Sequence, residues 1–403
     1  MLKNQLKDRL EIRNVTEEHL DQCNELIKYV FQVTNTEIRD LDEEFWVEQK
    51  RPILRSCTTI GWFDQDKLVS QIMVYPFMVN IHGTPYEMGG VTGVGTYPEY
   101  AGFGLIQALI KKSLTIMKEK GQTISYLYPY SIPFYRKKGW EIISDMIDYQ
   151  IKDTQLPKMY EVSGRMIRAE FTHPDLQHVY ATFAEQTNGA MLRNSIAWNE
   201  RFRWEKDELS VAIYYNAEDQ PTGYLYYRVE DETFYVAEKV YLDEDARQGL
   251  WNFIRAHISM VYAVKGKIFT NDPIAFLLED GEIVQKISPY YMGRIVDVKG
   301  FFERFPFIRT NCSEIILHIE DPLLDWNNGT FVLTWDEENR IQITNEAKEG
   351  GLSLTIQTLT TMMMSYKRPT YLYKIKRLHG PIETVGWLEK MIPNETPWFA
   401  DYF

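Results

Sequence analysis

The chain has 403 residues, 44% of them hydrophobic and 25% charged, with a formal net charge of −13. That length exceeds one ordinary core and predicts two or three domains of a globular protein. The negative balance argues against a nucleic-acid partner, whose backbone would be repelled, and no run of about eighteen apolar residues is present to span a membrane.

The first 150 residues alternate clearly. Leu10–Val15 reads as a strand. Thr16 then caps a helix whose Leu20, Cys23, Leu26, Ile27 and Val30 fall on one face. Thr58–Phe63, Leu68–Ile81 and Tyr86–Thr96 read as three antiparallel strands joined by turns at 64–67 and 82–85. The third strand breaks at Tyr97-Pro98, makes a short loop with Gly102 and Gly104, and enters an amphipathic helix that carries Leu105, Leu109, Leu114 and Met117 and ends at Gly121. The first N–H groups of a helix have no carbonyl partner within it, and small residues before it let an anion come close. This loop is therefore a candidate pyrophosphate cradle. Ile124–Tyr128 reads as a strand, Ser131–Lys138 as a short helix closed by Gly139, and Trp140–Ile151 as one last strand. The order predicts a mixed sheet with helices on both faces.

Pro157 and Val162–Arg165 mark a boundary, after which the pattern partly recurs. Strands are predicted at Met166–Phe171, Ser210–Tyr215, Thr222–Val229 and Thr233–Tyr241, with helices at Pro174–Thr187 and Asn252–Val264. Gly249-Leu250 aligns with Gly104-Leu105, and Pro273–Gly281 with Ser131–Gly139, so the middle third reads as a second copy of one fold. Beyond residue 291, Ile315–Ile319, Gly329–Trp335 and Arg340–Thr344 alternate as hairpin strands, while Leu352–Met364 and Ile382–Met391 read as helices. The chain ends in an apolar, rigid segment, Pro393–Phe403, which predicts a terminus packed against something.

Cys23, Cys57 and Cys312 are odd in number and far apart, which argues against a disulfide framework. Together with an N-terminus that lacks an apolar leader, this predicts a cytoplasmic protein. The histidines, His82 and His379 among them, have no metal-ligand spacing, and no metal is expected.

Residues 1–155 resemble the GCN5-related N-acetyltransferase fold, whose phosphate motif is Arg/Gln-x-x-Gly-x-Gly/Ala before a helix. Here Ala101–Ile106 occupies that motif, with Ala101 at the basic position and Gly104 matched. The whole chain resembles the enhanced-intracellular-survival acetyltransferases. The resemblance rests on Val94–Pro98 running into Gly104–Ile106, on Phe134-Tyr-Arg-Lys-Lys-Gly-Trp140, and on the terminal Phe403. It implies an α+β fold of mixed α/β sheets in three domains. Residues 1–155 would be the catalytic acetyltransferase domain, 156–290 a degenerate second copy, and 291–403 a domain similar to sterol carrier protein.

The resemblance also assigns roles. Tyr135 would protonate the leaving sulfur of coenzyme A, and the carboxylate of Phe403 would accept the amine proton, with Glu87 as a second candidate base. Backbone groups of Val94, Gly95 and Thr96 would hold the acetyl and pantetheine arm. Those of Gly102, Phe103, Gly104, Leu105, Ile106 and Gln107 would hold the pyrophosphate, and Tyr130 and Ser131 would line the far side. Arg136, Lys137 and Lys138 read as a solvated helix end that complements the dipole. Trp398, Asp401 and Tyr402 would line an acidic, aromatic pocket for a polyamine cation. The implied activity is transfer of acetyl from acetyl-CoA to the amine of a cationic small molecule of aminoglycoside type, in a homo-oligomer, with hexamers known in the family. Two alternatives stand beside it: a protein or peptide lysine acetyltransferase, which the same machinery would serve, and a non-enzymatic lipid or coenzyme A binding protein, built on the third domain with a degenerate cradle that lacks a basic residue at Ala101.

Overall fold

A computed structural model describes residues 9–32, 43–203, 206–269, 273–336, 338 and 340–403. The first part of the chain forms β1 (Leu10–Asn14), α1 (Leu20–Phe31), α2 (Glu43–Ser56), β2 (Thr58–Asp64), β3 (Lys67–Ile81), β4 (Thr84–Thr96), α3 (Leu105–Glu119), β5 (Ile124–Leu127), α4 (Ile132–Arg136) and β6 (Glu141–Ile142). The middle forms β7 (Asp145–Lys152), β8 (Arg165–Ala169), α5 (Pro174–Gln186), α6 (Ser195–Arg201), β9 (Ser210–Tyr215), β10 (Pro221–Glu230), β11 (Thr233–Tyr241), α7 (Glu244–Arg255), β12 (Ala263–Phe269), α8 (Ile274–Leu277), β13 (Val284–Pro289) and β14 (Met292–Ile295). The last part forms α9 (Val298–Phe302), β15 (Glu314–Glu320), β16 (Gly329–Trp335), β17 (Ile341–Thr344), β18 (Leu352–Thr355), α10 (Ile356–Met363), α11 (Pro369–Lys374), β19 (Leu378–His379) and α12 (Ile382–Met391).

Three mixed sheets result, ordered β1-β2-β3-β4-β5-β14-β6, β13-β7-β12-β11-β10-β9-β8 and β17-β16-β15-β18-β19. In the first sheet β3 sorts its side chains by period. Ile72 and Val74 join Leu109, Ile110, Leu114 and Met117 of α3 in one core, while Met73, Tyr75 and Phe77 join Leu20, Cys23 and Leu26 of α1 in the other. Each of these fully buried apolar side chains contributes about 1.5–3 kcal/mol.

The first two sheets exchange strands. Trp140–Ile151 is not one strand: the chain turns at Ile143-Ser144, leaving β6 at the edge of the first sheet and sending β7 into the second. In return β14 inserts between β5 and β6, antiparallel to both. The crossing point is knitted by hydrogen bonds, Ile143 N–H to Tyr291 O at 3.0 Å and Tyr290 N–H to Ser144 O at 2.9 Å. The crossing coincides with a break in alternation, where Ile142-Ile143, Ser144-Asp145 and Met146-Ile147 fall in like pairs. Sheet membership therefore cuts across the expected boundaries at 155 and 290.

Three other expectations change. The helix expected at Asn252–Val264 begins at Glu244, because Asp243 is its cap, its carboxylate accepting from Ala246 N–H at 2.7 Å. Gly249 is thus a mid-helix residue, where a Cβ would run into the Tyr214 ring, and it does not correspond to Gly104. Leu352–Met364 divides into β18 and α10, with Thr355 as cap. Helix α2 has no counterpart among the sequence-based elements.

The third domain lies directly on the first sheet. From α10, Thr360 Oγ1 accepts from Ile295 N–H and Thr361 Oγ1 donates to Ile142 O, both at 3.1 Å. Beside them Arg294 and Asp321 form an ion pair at 2.6 Å with neither side chain exposed.

Candidate active site

Strands β4 and β5 run parallel but pair over only three positions, Met88↔Ile124 to Gly90↔Tyr126. Beyond Gly90, β4 continues to Thr96 against β3 alone, so the two strands part as a fork. The outer part of β4 is kinked by a bulge. Gln71 faces Gly95 and Met73 faces Thr92, which leaves Gly93 and Val94 opposite the single residue Ile72. Bulges of this kind free main-chain groups for other partners. Val94, Gly95 and Thr96 lie on this free edge.

At the end of the loop that follows, Gly102 and Gly104 take left-handed conformations, φ +81° and +75°, and a Cβ on either would meet only open space. Gly104 is the residue before α3, and the first helical N–H to find a backbone carbonyl there is that of Ala108, which donates to Gly104 O at 3.2 Å. The N–H groups of Leu105, Ile106 and Gln107 precede it at the positive end of the helix. Trp62 Nε1 anchors this start by donating to Leu105 O at 3.1 Å, and Lys138 Nζ donates to Gln107 Oε1 at 3.0 Å. Lys138 is therefore beside the cradle and not merely a solvated helix end. Arg136 instead pairs with buried Glu141 at 2.6 Å, and Glu141 also binds Arg377 at 2.8 Å. Burial would raise the Glu141 carboxyl, but these partners and the Ile142 N–H hold it below its ordinary value.

Tyr135 sits on α4 and is 4% exposed. It belongs to the core on the α3 face of the sheet and packs edge-on against Phe134, Tyr130 and Trp140 at ring separations of 5.1, 5.9 and 6.0 Å. Burial pushes its phenol well above the ordinary value, so it carries its proton at neutral pH. Ser131 is the cap position of α4, and Tyr130 is exposed at the rim.

The end of the chain reaches the same fork from the other face. The Phe403 ring lies 5.0 Å from Phe77, 5.4 Å from Tyr291 and 6.1 Å from Tyr75. It rests on Gly90, the last paired residue of β4, where a Cβ would come within 2.8 Å of it. Upstream, Phe399 packs on Tyr126 at 5.3 Å and Tyr402 on Tyr128 at 5.5 Å. Glu87, three residues before Gly90, is exposed.

A cavity of about 350 Å³ adjoins this tail, lined by Trp398, Tyr402, Tyr128, Tyr290, Glu200 and Arg201 among others. It is aromatic, as expected, but not acidic. Asp401 is buried away from it and paired with Arg193 at 2.6 Å, Glu238 with Arg193 at 2.6 Å, and Glu200 with Arg203. Burial would raise Glu238, yet the two arginines, Arg193 first, bring its carboxyl down to about 2. Nothing in the local sequence marks Arg193, whose partners are distant in the chain.

The second sheet repeats the fork without the cradle. There β11 and β12 pair in parallel from Thr233↔Ala263 to Val236↔Gly266. The start of α7 is already occupied by the Asp243 carboxylate, with Glu244 and Asp245 in the first turn, and Leu277 stands at the fourth position of α8 where α4 has Tyr135.

Residues 11–143 and 189–295 each match a family described as an acetyltransferase (GNAT) domain, and 298–400 a sterol carrier protein domain. The two acetyltransferase matches together span more than half of the chain. The chain belongs to the GCN5-related N-acetyltransferases, and it is an enzyme of that acetyl-CoA-using class.

Its particular architecture, two such domains and a sterol-carrier-like third, is shared over full length with solved structures. A conserved protein of unknown function from Enterococcus faecalis V583, described as a probable N-acyltransferase, is 28% identical, with 98% of this chain and 99% of that one covered and a TM-score of 0.90. A GCN5-related N-acetyltransferase from Anabaena variabilis is 24% identical, covering 98% and 100%, with a TM-score of 0.86. Eis1 from Mycobacterium abscessus, 16% identical over 98% and 100%, has the same fold at a TM-score of 0.81. A search of curated proteins finds no match.

Proposed function

We propose that the enzyme acetylates an amine of a cationic small molecule, of aminoglycoside type, by direct attack while acetyl-CoA and acceptor are both bound. The observation that carries this reading is Phe403 seated on Gly90 at the mouth of the β4–β5 fork. The Phe403 and Tyr135 rings belong to the cores on opposite faces of the first sheet, and this reading puts the terminal carboxylate and the phenol at the two sides of one slot.

The residues fit the cosubstrate. Two left-handed glycines and three helix-start N–H groups suit a pyrophosphate, and the parted strands suit an extended arm between Val94–Thr96 and Tyr130–Ser131. Acetyl-CoA supplies an activated acyl group and a thiol leaving group. The chain supplies the rest. An alkyl ammonium titrates near 10.4, so roughly one amine in a thousand is free at neutral pH. The Phe403 carboxylate takes up that proton, Tyr135 donates one to the departing sulfur, and main-chain N–H groups at the bulge face a carbonyl oxygen as it gains charge.

Direct attack is favoured because burial pushes the Cys23 thiol up to about 11 and the Cys57 thiol higher, leaving neither as a thiolate able to carry an acyl group. The cation would rest on the rings of Tyr128, Tyr402 and Trp398. We place the enzyme in the cytoplasm as a homo-oligomer, a hexamer by the family resemblance. Phe276 and Tyr262 of the middle domain, 87% and 67% exposed, support subunit contacts there.

Thiol release from acetyl-CoA, measured with kanamycin and separately with a lysine-containing peptide, tests the reading. Faster turnover of kanamycin is expected. Faster turnover of the peptide would reassign the acceptor. Wild-type rates in both Tyr135→Phe and a chain extended by one residue beyond Phe403 would remove the assigned roles.

A further inference from the structure

The second sheet carries an uncovered face whose chemistry the acetyl transfer does not use. Register places its residues. Across β10, β11, β12, β7 and β13 one row runs Arg228, Tyr235, Lys265, Gln150, Val284, each the direct neighbour of the next. Two positions further along, a second row runs Lys267, Asp148, Lys286. Residues opposite one another in a ladder point to the same face, so four cations and one carboxylate share this surface. The reverse face holds Tyr227, Phe234, Val264 and Ile151 against α7 and is core. The basic face borders a hollow of about 500 Å³ that adjoins the cavity beside the tail, Arg201 and Lys267 lining both.

Two features make this more than a solvated surface. In a chain with 57 acidic and 44 basic residues, repulsion among clustered cations is ordinarily relieved by interleaved carboxylates. Here Lys265, Lys267 and Lys286 pair with no carboxylate among the described residues, Arg228 reaches Glu230 only at its edge at 3.3 Å, and Asp148 alone lies between two lysines. The cations also frame a flat ring: Arg228 lies 4.6 Å from the centre of Tyr235 and Lys265 5.8 Å. A hollow of this size accepts a molecule up to about a nucleotide.

We propose that this face is a second ligand site, distinct from the acetyl-CoA fork, that binds a phosphorylated small molecule. Its phosphates lie among Lys265, Lys267 and Lys286, with Arg228 beside them. It is not a second coenzyme A cradle, because the helix start that would hold that pyrophosphate is filled by Asp243.

Calorimetric titration of inorganic pyrophosphate into the full chain, with coenzyme A saturating the first fork, is the test. One binding event is expected, weakening as salt is raised. The triple variant Lys265→Gln, Lys267→Gln, Lys286→Gln should lose about tenfold or more in affinity. A distant control, Lys374→Gln with Lys390→Gln, should keep it. The triple variant removes mutual repulsion and should melt no lower than wild type, so a loss of binding is not a loss of fold. Absence of binding to wild type, equal affinity in the triple variant, or equal loss in the control would each overturn the proposal. So would a change in the mass of the assembly in the triple variant without pyrophosphate binding to wild type, which would make the face a contact between copies.

Discussion

The guanidinium of Arg193 and the carboxylate of Asp401 meet at 2.6 Å, 0% and 2% exposed, only two residues before the end of the chain. Tyr180 supports the pair from below, its ring 3.8 Å from the Arg193 carbon. Tyr290 donates to the Asp401 carbonyl at 3.0 Å, and Glu238 receives the other two guanidinium nitrogens at 2.6 and 3.0 Å. Two arginines and two carboxylates thus close a buried, balanced cluster with Arg201 as its fourth member. The arrangement pins the tail so that Phe403 has one place to go.

Asp401→Asn keeps the shape of the pin and removes its charge. It should lower kcat by about tenfold while leaving KM for acetyl-CoA nearly unchanged, and cost about 1–3 kcal/mol of stability. Arg193→Met should cost more, about 3–5 kcal/mol, because Asp401 loses its ion-pair partner while buried and Glu238 keeps only Arg201. Steady-state kinetics and urea denaturation read both.

Tyr135→Phe deletes one hydroxyl and retains the ring packing against Trp140. The expected loss is about 10²–10⁴ in kcat, with an unchanged melting temperature. An intact kcat would show that the leaving thiol departs without a donor from α4.

Gly90 and Gly104 separate the two halves of the site. A Cβ at Gly90 would stand 2.8 Å from both Phe403 and Phe77, so Gly90→Ala should displace the tail and lower kcat. At Gly104 the constraint is conformational, φ +75°, which a β-branched residue adopts only at a cost. Gly104→Val should therefore raise KM for acetyl-CoA. Initial rates at varied acetyl-CoA distinguish the two effects.

His82 offers a pH prediction. Burial lowers its pKa from 6.5 to about 4, outweighing the hydrogen bond its ring shares with the Met363 carbonyl. The folded protein keeps this ring neutral where the unfolded chain would protonate it. Its stabilising contribution is complete above about 6.5 and is lost as pH falls toward about 4. His82 has φ +49°, which asparagine tolerates, so His82→Asn should flatten the acid side of a plot of stability against pH. Urea midpoints at pH 7, 6, 5 and 4.5 would show it, and identical slopes in the two proteins would refute it.

Much of the first sheet was legible because one physical rule operated at a time. Apolar, β-branched and aromatic runs bounded by turn residues mark β2, β3 and β4, and two glycines before an amphipathic run announce α3. The turn from loop to helix at Gly104 was legible for the same reason, since loop glycines and a helix start lie side by side in the chain. Tyr135 and Phe403 gained meaning only from the family resemblance; periodicity says nothing of a phenol or a terminus. Arg193 carries no local signal, because its partners Glu238 and Asp401 lie 45 and 208 residues away. The start of α7 was misplaced because Gly249 resembles a loop glycine, when its small size instead admits the Tyr214 ring.

The reciprocal placement of β7 and β14 bears on how such a chain can be made and inherited. The second sheet is complete only once the ribosome has passed residue 289 and the first only at 295, so an early segment released alone would lack its inserted ribbon and expose the flanks of β5 and β6. Recombination that cut between the two modules would orphan a ribbon on each side. The pair is thus transmitted as an indivisible unit, free to diverge in sequence but not to be shuffled.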